Sequence, residues 1–301
     1  MQNAVILVAV LGGLFGLILA IAGRKLAVET DPRIDQIATL LPGANCGACG
    51  YAGCCNMAEA IVAGDAPDAS KCAACTADNQ NAINAIMGKA SDSSGAASRK
   101  IARLACNGCK TNAPRTVDYE GIKDCHVVAK NFGGPGKCNY GCLGLGSCVA
   151  ACPFHAITMG DNGLPQFDYT KCVGCGICVK QCPQMVLYLV DAGAKIHIMC
   201  NNRDKGKAAM VNCKVSCISC GICVKNCPEQ AITLEDGPNG SLPVIDYDKC
   251  ISCGICVTKC PRHCIHNVEP IDISSPLVLD KPESKSGCTN CALNGSCGSK
   301  Q

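Results

Sequence analysis

Four cysteine runs between Cys138 and Cys264 constrain this chain more than any other feature. Three are nearly identical: Cys172-Val-Gly-Cys175-Gly-Ile-Cys178-Val-Lys-Gln-Cys182-Pro183, Cys217-Ile-Ser-Cys220-Gly-Ile-Cys223-Val-Lys-Asn-Cys227-Pro228 and Cys250-Ile-Ser-Cys253-Gly-Ile-Cys256-Val-Thr-Lys-Cys260-Pro261. The fourth is degenerate, with Cys138 and Cys142 followed by Cys148-Val-Ala-Ala-Cys152-Pro153. The spacing C-x2-C-x2-C-x3-C-P binds [4Fe–4S] clusters. Three thiolates on one short loop hold three irons of a cube. The fourth cysteine, ahead of proline, turns away to the neighbouring cluster. C-x2-C pairs also bind zinc, but zinc sites usually draw two close pairs from separate places. Four cysteines within eleven residues are a different pattern.

The chain carries 31 cysteines in 301 residues, and it is too long for a small secreted disulfide scaffold. Clusters need free thiolates, so a reducing, cytoplasm-facing location is expected. There is no Trp, with four Phe and six Tyr, which leaves little material for a large apolar core. Metal–ligand bonds are therefore expected to hold much of the soluble part together, with folding coupled to cluster insertion. A net charge of +3, with no helix-turn-helix, base-stacking motif or long basic run, gives no reason to expect nucleic acid. The five histidines (His126, His155, His197, His263, His266) lack ligand spacing and suit surface or packing roles. No G-x-G-x-x-G follows a strand, so no Rossmann-type nicotinamide or flavin site is visible. No nucleophile–base constellation is visible either, and no catalytic residue is expected beyond the clusters. The chain reads as a conductor of electrons.

Residues 4–22 are uncharged and mostly apolar, closed by Arg24 and Lys25. That length just spans a bilayer as a helix. A cleaved signal peptide would place its positive charge before the apolar run; here it follows, and the pair puts the C-terminal side in the cytoplasm. The expected anchor covers residues 1–25. A small [4Fe–4S] domain is expected over 26–88, beginning with a short amphipathic helix in 26–42. Its site is Cys46-Gly-Ala-Cys49-Gly-Tyr-Ala-Gly-Cys54 with Cys72 as fourth ligand, and Cys75 as the competing candidate. Residues 56–63 suit a helix beside it. A small, polar linker over 89–100 follows, then a cysteine-containing middle segment over 101–137.

The Cys-Pro cysteines recur as two tandem two-cluster units, 138–190 and 217–268, joined by a connecting segment over 191–216. Ile157-Thr158-Met159 and Ile232-Thr233-Leu234 suit short hairpin strands. By the crossing rule, Cys182 joins Cys138, Cys142 and Cys148, while Cys152 joins Cys172, Cys175 and Cys178. In the second unit, Cys260 joins Cys217, Cys220 and Cys223, and Cys227 joins Cys250, Cys253 and Cys256. Cys106, Cys109, Cys125, Cys200 and Cys213 are left over. They suffice for one more cluster, clipping the two units together, and the alternative is that some are simply buried thiols. About six clusters are expected in all. The tail over 269–301 carries Cys288, Cys291 and Cys297, which with Cys264 make either a further site or a dispensable end. The expected fold class is α+β: a transmembrane helix, the small [4Fe–4S] domain and tandem bacterial ferredoxin-like units.

The apolar N-terminus, the stretch from Leu41 to Cys54 with Cys72, and the run Tyr140-Gly141-Cys142-Leu143-Gly144-Leu145-Gly146-Ser147-Cys148 together resemble one family. The chain resembles the B subunit of the Rnf complex, in a longer, anaerobe-type form. The resemblance implies a component of an ion-translocating ferredoxin:NAD+ oxidoreductase, taking electrons from soluble reduced ferredoxin at the cell inner membrane. Flavin and NAD+ would sit on membrane-integral and other partner subunits. A membrane-tethered polyferredoxin serving a hydrogenase or other reductase is the competing class; it would not need the Cys46–Cys72 domain. An acidic ferredoxin suits a basic face, and residues 99–137 hold Arg99, Lys100, Arg103, Lys110, Arg115, Lys123, Lys130 and Lys137 against three acids. The alternative is a merely solvated face.

Overall fold

The computed structural model describes residues 31–89, 99–237 and 240–269, together with Ile6, residues 12–19 and Ile21. The anchor expected over residues 4–22 lies in large part outside the described residues. Most of the linker lies outside them too, as does the tail with Cys288, Cys291 and Cys297. Residues 12–19 are helical, with Leu14, Phe15, Leu17, Ile18 and Leu19 exposed. Among the described residues, no helix is long and apolar enough to cross a membrane.

Three helices make the N-terminal domain: α1 (Pro32–Leu40), α2 (Cys54–Ala63) and α3 (Ala77–Ile86). The Asp31 carboxylate caps α1 by accepting the Arg33 N–H at 2.9 Å. Pro32 sits in the first turn, where a missing N–H costs nothing. Gly64, at φ 88°, ends α2 in the left-handed conformation, a common helix stop. The Thr76 hydroxyl caps α3. The helices bury Ile37, Met57, Ile61 and Ile83 against one another. Each such side chain contributes about 1.5–3 kcal/mol on leaving water. The Asn79 amide donates to the Leu40 carbonyl at 2.8 Å and ties α3 to α1.

The first ferredoxin-like unit contains β1 (Lys100–Leu104), α4 (Cys125–Phe132), α5 (Ser147–Ala150), β2 (Ile157–Met159), β3 (Pro165–Phe167), α6 (Ile177–Lys180) and β4 (Leu187–Asp191). An inner hairpin, β2–β3, is accompanied by an outer antiparallel pair, β1–β4, with Ile101 opposite Val190 and Arg103 opposite Tyr188. The second unit repeats the plan with β5 (Ile196–Ile198), α7 (Lys207–Asn212), α8 (Ile222–Lys225), β6 (Ile232–Asp236), β7 (Ser241–Ile245), α9 (Ile255–Lys259) and β8 (Ile265–Asn267). There β6 pairs with β7 and β5 with β8. Both hairpins fall where the sequence suggested strands. The outer pairs change the boundaries: β1 and β5 bring the units' first strands from outside 138–190 and 217–268. The cysteine-bearing segments after β1 and β5 are thus insertions between a first strand and a cluster loop. Spacing could not show this, because an insertion interrupts the run without disturbing the pairing.

A two-stranded ribbon is marginal in water by itself, and every sheet among the described residues has two strands. The units close instead on their cysteine loops, which contribute much of each apolar cluster. At Gly174, in the Cys172–Cys175 loop, φ is +68° and an added Cβ would lie 2.2 Å from the Lys100 carbonyl oxygen. The strand β1 therefore passes directly over this loop.

The two units meet at a polar seam. His197, 1% exposed, places Nδ1 3.1 Å from both the Tyr188 and Tyr247 hydroxyls, and its Nε2–H donates to the Ala194 carbonyl at 2.9 Å. Burial, with Arg103 nearby, pushes this imidazole down to about 4, so the ring is neutral at ordinary pH. Arg103 is 5% exposed and lies 5.1 Å from the Tyr169 ring centre. Arg99 donates to the Tyr169 and Cys172 carbonyls at 2.6 and 2.8 Å. These two cations are therefore spent inside the fold. Lys110 and Arg115 line the junction cavity described below. The eight positive residues of 99–137 do not form one surface.

Candidate metal centres

The second unit shows the local design most simply. Ser219 and Ser252, inside the Cys217–Cys220 and Cys250–Cys253 steps, have φ of 56° and 57°, bending each loop so that its thiols face one side. One cavity of about 360 Å³ is lined by Cys217, Cys220, Cys223 and Cys260, with Cys264 also on its wall. A second of the same size is lined by Cys250, Cys253, Cys256 and Cys227. The Cys-Pro turn thus carries each fourth sulfur to the opposite loop. The Ala231 N–H donates to the Cys227 sulfur at 3.3 Å. The Cys264 and Cys260 sulfurs lie 3.5 Å apart, within hydrogen-bond contact. That contact pulls Cys260 down to about 5, while hydrogen bonds with Cys217 and then Cys260 push Cys264 up.

In the first unit, the thiols of Cys175 and Cys178 lie close to that of Cys152, with Cys172 beside them. Burial pushes Cys178 up to about 12, and the neighbouring thiols of Cys172, Cys175, Cys148 and Cys152 add to it. A buried thiol stays protonated unless a cation compensates its charge, and a coordinating metal does so outright. The other cavity, of about 390 Å³, is lined by Cys125, Cys142, Cys148 and Cys182. This differs from the expected set in one member. Cys125 occupies the place the sequence suggested for Cys138. The Asp124 carboxylate caps α4 by accepting from His126 and Val127. The Cys125 N–H donates to the buried Ser147 hydroxyl at 2.7 Å, joining the start of α4 to the start of α5.

Cys138 stands elsewhere, around a junction cavity of about 670 Å³ with Cys106, Cys200 and Cys213; Cys142 borders this cavity as well as the previous one. Cys106 follows β1 and Cys200 follows β5, each before an asparagine. The Cys106 sulfur accepts from the N–H groups of Gly108 and Cys142, both at 3.4 Å. The Cys200 sulfur accepts from Asn202 at 3.4 Å and Cys217 at 3.2 Å. Cys213 ends α7, and Arg262 grips its carbonyl at 3.2 Å and that of Lys214. Burial pushes Cys138 up to about 11. Of the leftover cysteines, Cys109 is not on this wall. It pairs with the Thr111 hydroxyl at 3.0 Å, which holds its thiol below the usual value.

In the N-terminal domain a cavity of about 390 Å³ is lined by Cys46, Cys49, Cys54 and Cys72. The Asn45 side chain accepts the Cys54 N–H at 2.8 Å and fixes the loop at the start of α2. Cys75 lies inside the helical core, 7% exposed, where burial pushes it up to about 12. Phe154 and Cys175 of the first unit complete this cavity's wall. No sequence signal marked that contact. Among the described residues, no three His, Cys, Asp or Glu converge closely enough to hold a single metal ion. The thiols stand instead around larger openings, a donor set suited to a cube.

These features define the class: an iron–sulfur protein of mixed α/β ferredoxin-like [4Fe–4S] domains. The description "4Fe-4S dicluster domain" matches residues 216–264, "4Fe-4S binding domain" matches 165–188 and "Putative Fe-S cluster" matches 41–75. The chain is 40% identical over 218 residues to the B subunit of the proton-translocating ferredoxin:NAD(+) oxidoreductase complex of Clostridium ljungdahlii, covering 71% of this chain and 76% of that one. It is 41% identical over 269 residues to the B subunit of the Na(+)-translocating ferredoxin:NAD(+) oxidoreductase complex of Acetobacterium woodii, covering 88% and 78%. It is 38% identical over 213 residues to the B subunit of the ion-translocating oxidoreductase complex of Methanosarcina acetivorans, covering 71% and 79%. The chain belongs to this family of B subunits of ion-translocating oxidoreductase complexes.

Proposed function

We propose that this chain is the component through which electrons from reduced soluble ferredoxin enter an ion-translocating ferredoxin:NAD+ oxidoreductase, and that it holds six [4Fe–4S] clusters. The observation that carries this is the contact between successive thiol groups. Cys46 adjoins Cys175, and Cys178 adjoins Cys148. The Cys142 N–H reaches the Cys106 sulfur, and the Cys217 N–H reaches the Cys200 sulfur. In the second unit α8 packs on α9 between the last two groups. When bound, each cluster supplies one-electron transfer at a potential set by hydrogen bonds, burial and charge.

The residues that would hold them are Cys46, Cys49, Cys54 and Cys72; Cys152 with Cys172, Cys175 and Cys178; Cys125, Cys142, Cys148 and Cys182; Cys106, Cys138, Cys200 and Cys213; Cys217, Cys220, Cys223 and Cys260; and Cys227 with Cys250, Cys253 and Cys256. The chain's own work is to keep these thiolates buried, aim backbone N–H groups at their sulfurs and fix the groups side by side. The names of the relatives support ferredoxin and the other subunits of an oxidoreductase complex as partners; ferredoxin would be the donor, and flavin- and NAD-binding, membrane-integral subunits would complete the complex. Residues 4–22 would anchor the chain in the cell inner membrane, with Arg24 and Lys25 keeping the cluster domains cytoplasmic.

Iron and acid-labile sulfide on the anaerobically reconstituted protein should each approach about 24 per chain, at four per cluster. A plateau near about 16 would remove the N-terminal and junction sites, and stoichiometric zinc would sink the cluster reading altogether. Deleting residues 1–25 should release a brown, soluble protein that keeps its iron, because no cysteine lies in that segment. Recovery of the truncated chain in the membrane fraction would show that the anchor lies elsewhere.

A further inference from the structure

The four turns after the Cys-Pro dipeptides are built alike. His155, Met185, Gln230 and His263, each three residues beyond its cysteine, all have φ between 49° and 52°. The next residue leads into a strand. In three turns that fourth position holds Ala156, Val186 or Ala231, all buried. The N–H of Ala156 donates to the Cys152 sulfur at 3.4 Å, and that of Ala231 to the Cys227 sulfur at 3.3 Å. A side chain at this position therefore begins beside the Cys-Pro sulfur. In the last turn the residue is Cys264. It is 2% exposed, its sulfur lies 3.5 Å from that of Cys260, and it lines the cavity that Cys217, Cys220, Cys223 and Cys260 share. Five thiols face an opening where a cube takes four.

A buried cysteine can act as a small apolar filler, as alanine does in the sister turns. Cys264 differs in setting a second sulfur within contact of a proposed ligand. We propose that Cys264 is a reserve ligand of this site, an inference that rests on the cluster reading above. While Cys260 is bound to iron, Cys264 remains a thiol and donates its S–H to the Cys260 sulfur. When Cys260 is lost, Cys264 takes the vacated iron. An Fe–S bond forms at Cys264, its S–H bond breaks and the proton goes to solvent. No electron is exchanged, so no oxidant is needed. Ala156, Val186 and Ala231 give the other Cys-Pro sites no such spare.

The test uses full-length protein, reconstituted anaerobically in detergent, with iron analysis, EPR of oxidised samples for [3Fe–4S] and EPR of reduced samples for [4Fe–4S]. Cys227→Ala should show a [3Fe–4S] signal, because Ala231 offers no sulfur. Cys260→Ala should lack that signal and keep its full iron. The double variant Cys260→Ala/Cys264→Ala should regain the signal at the level of Cys227→Ala. Equal [3Fe–4S] content in Cys260→Ala and the double variant would overturn the proposal. Should Cys260→Ala fail to accumulate, Cys264→Ala alone decides. Losing a donor to the ligand sulfur should lower this site's midpoint potential, and an unchanged potential overturns the proposal. Unsubstituted protein without any [4Fe–4S] signal would bring down the cluster reading itself, and this proposal with it.

Discussion

Replacing Cys213 by alanine is expected to reduce ferredoxin-driven NAD+ reduction by the assembled complex to background while both ferredoxin-like units stay loaded. Cys213 is one of five cysteines that line the junction cavity, and one of the four left when Cys142 is assigned to the neighbouring cavity, which it also lines. Arg262 holds this turn by backbone carbonyls, so removing the sulfur leaves the local chain path in place. Iron should fall from about 24 toward about 20 per chain, or a [3Fe–4S] signal should appear. Cys109→Ala is the matched control, since Cys109 lies close by but pairs with Thr111 and is not among the cavity's lining residues; its iron content should not change. Activity in membranes, assembly of the complex and EPR together settle the matter. Full turnover with a demonstrably broken junction site would mean that the two units do not work in series.

The second large effect concerns Cys182. Although it closes the run of Cys172, Cys175 and Cys178, its sulfur faces Cys125, Cys142 and Cys148. Cys182→Ala should therefore damage the same cluster as Cys125→Ala, and the two variants should share one EPR signature. Cys138→Ala should resemble Cys106→Ala and Cys200→Ala instead. All of these should nearly abolish ferredoxin-driven turnover, because each opens one iron of a cube and invites loss to a [3Fe–4S] form. If Cys138→Ala shares the signature of Cys182→Ala, Cys138 belongs with Cys142 and Cys148, and Cys125 is a packing residue.

The tight runs were legible in the sequence because their ligands are local: eleven residues and a Cys-Pro turn leave the chain few ways to aim four sulfurs. The paired hairpins were legible for a similar reason, with the short stretches Ile157-Thr158-Met159 and Ile232-Thr233-Leu234 at matching places in the two units. Where ligands come from distant segments, spacing says little. Cys125 and Cys138 are both preceded by polar, turn-forming residues. What separates them is the Asp124 cap with the Ser147 contact on one side, and the Arg115–Gly136 bridge on the other. Cys72 and Cys75 are three residues apart, and only the packing of α1, α2 and α3 shows which one the core swallows. The strand β1 was hidden because its partner, β4, lies beyond a whole pair of cluster loops.

The junction site also dictates an order of manufacture. Its thiols come from before and after the first unit's loops, with Cys106 and Cys138 made early and Cys200 and Cys213 late. On a growing polypeptide the first unit has all its own sulfurs once Cys182 has emerged, but the junction must wait for the second unit's opening strand. Closing so long a loop costs chain entropy, which the docking of His197 between Tyr188 and Tyr247 helps to offset by holding the halves together. With a cluster at the proposed junction site, a nascent chain stalled before Cys213 would carry iron in its early domains yet lack the join.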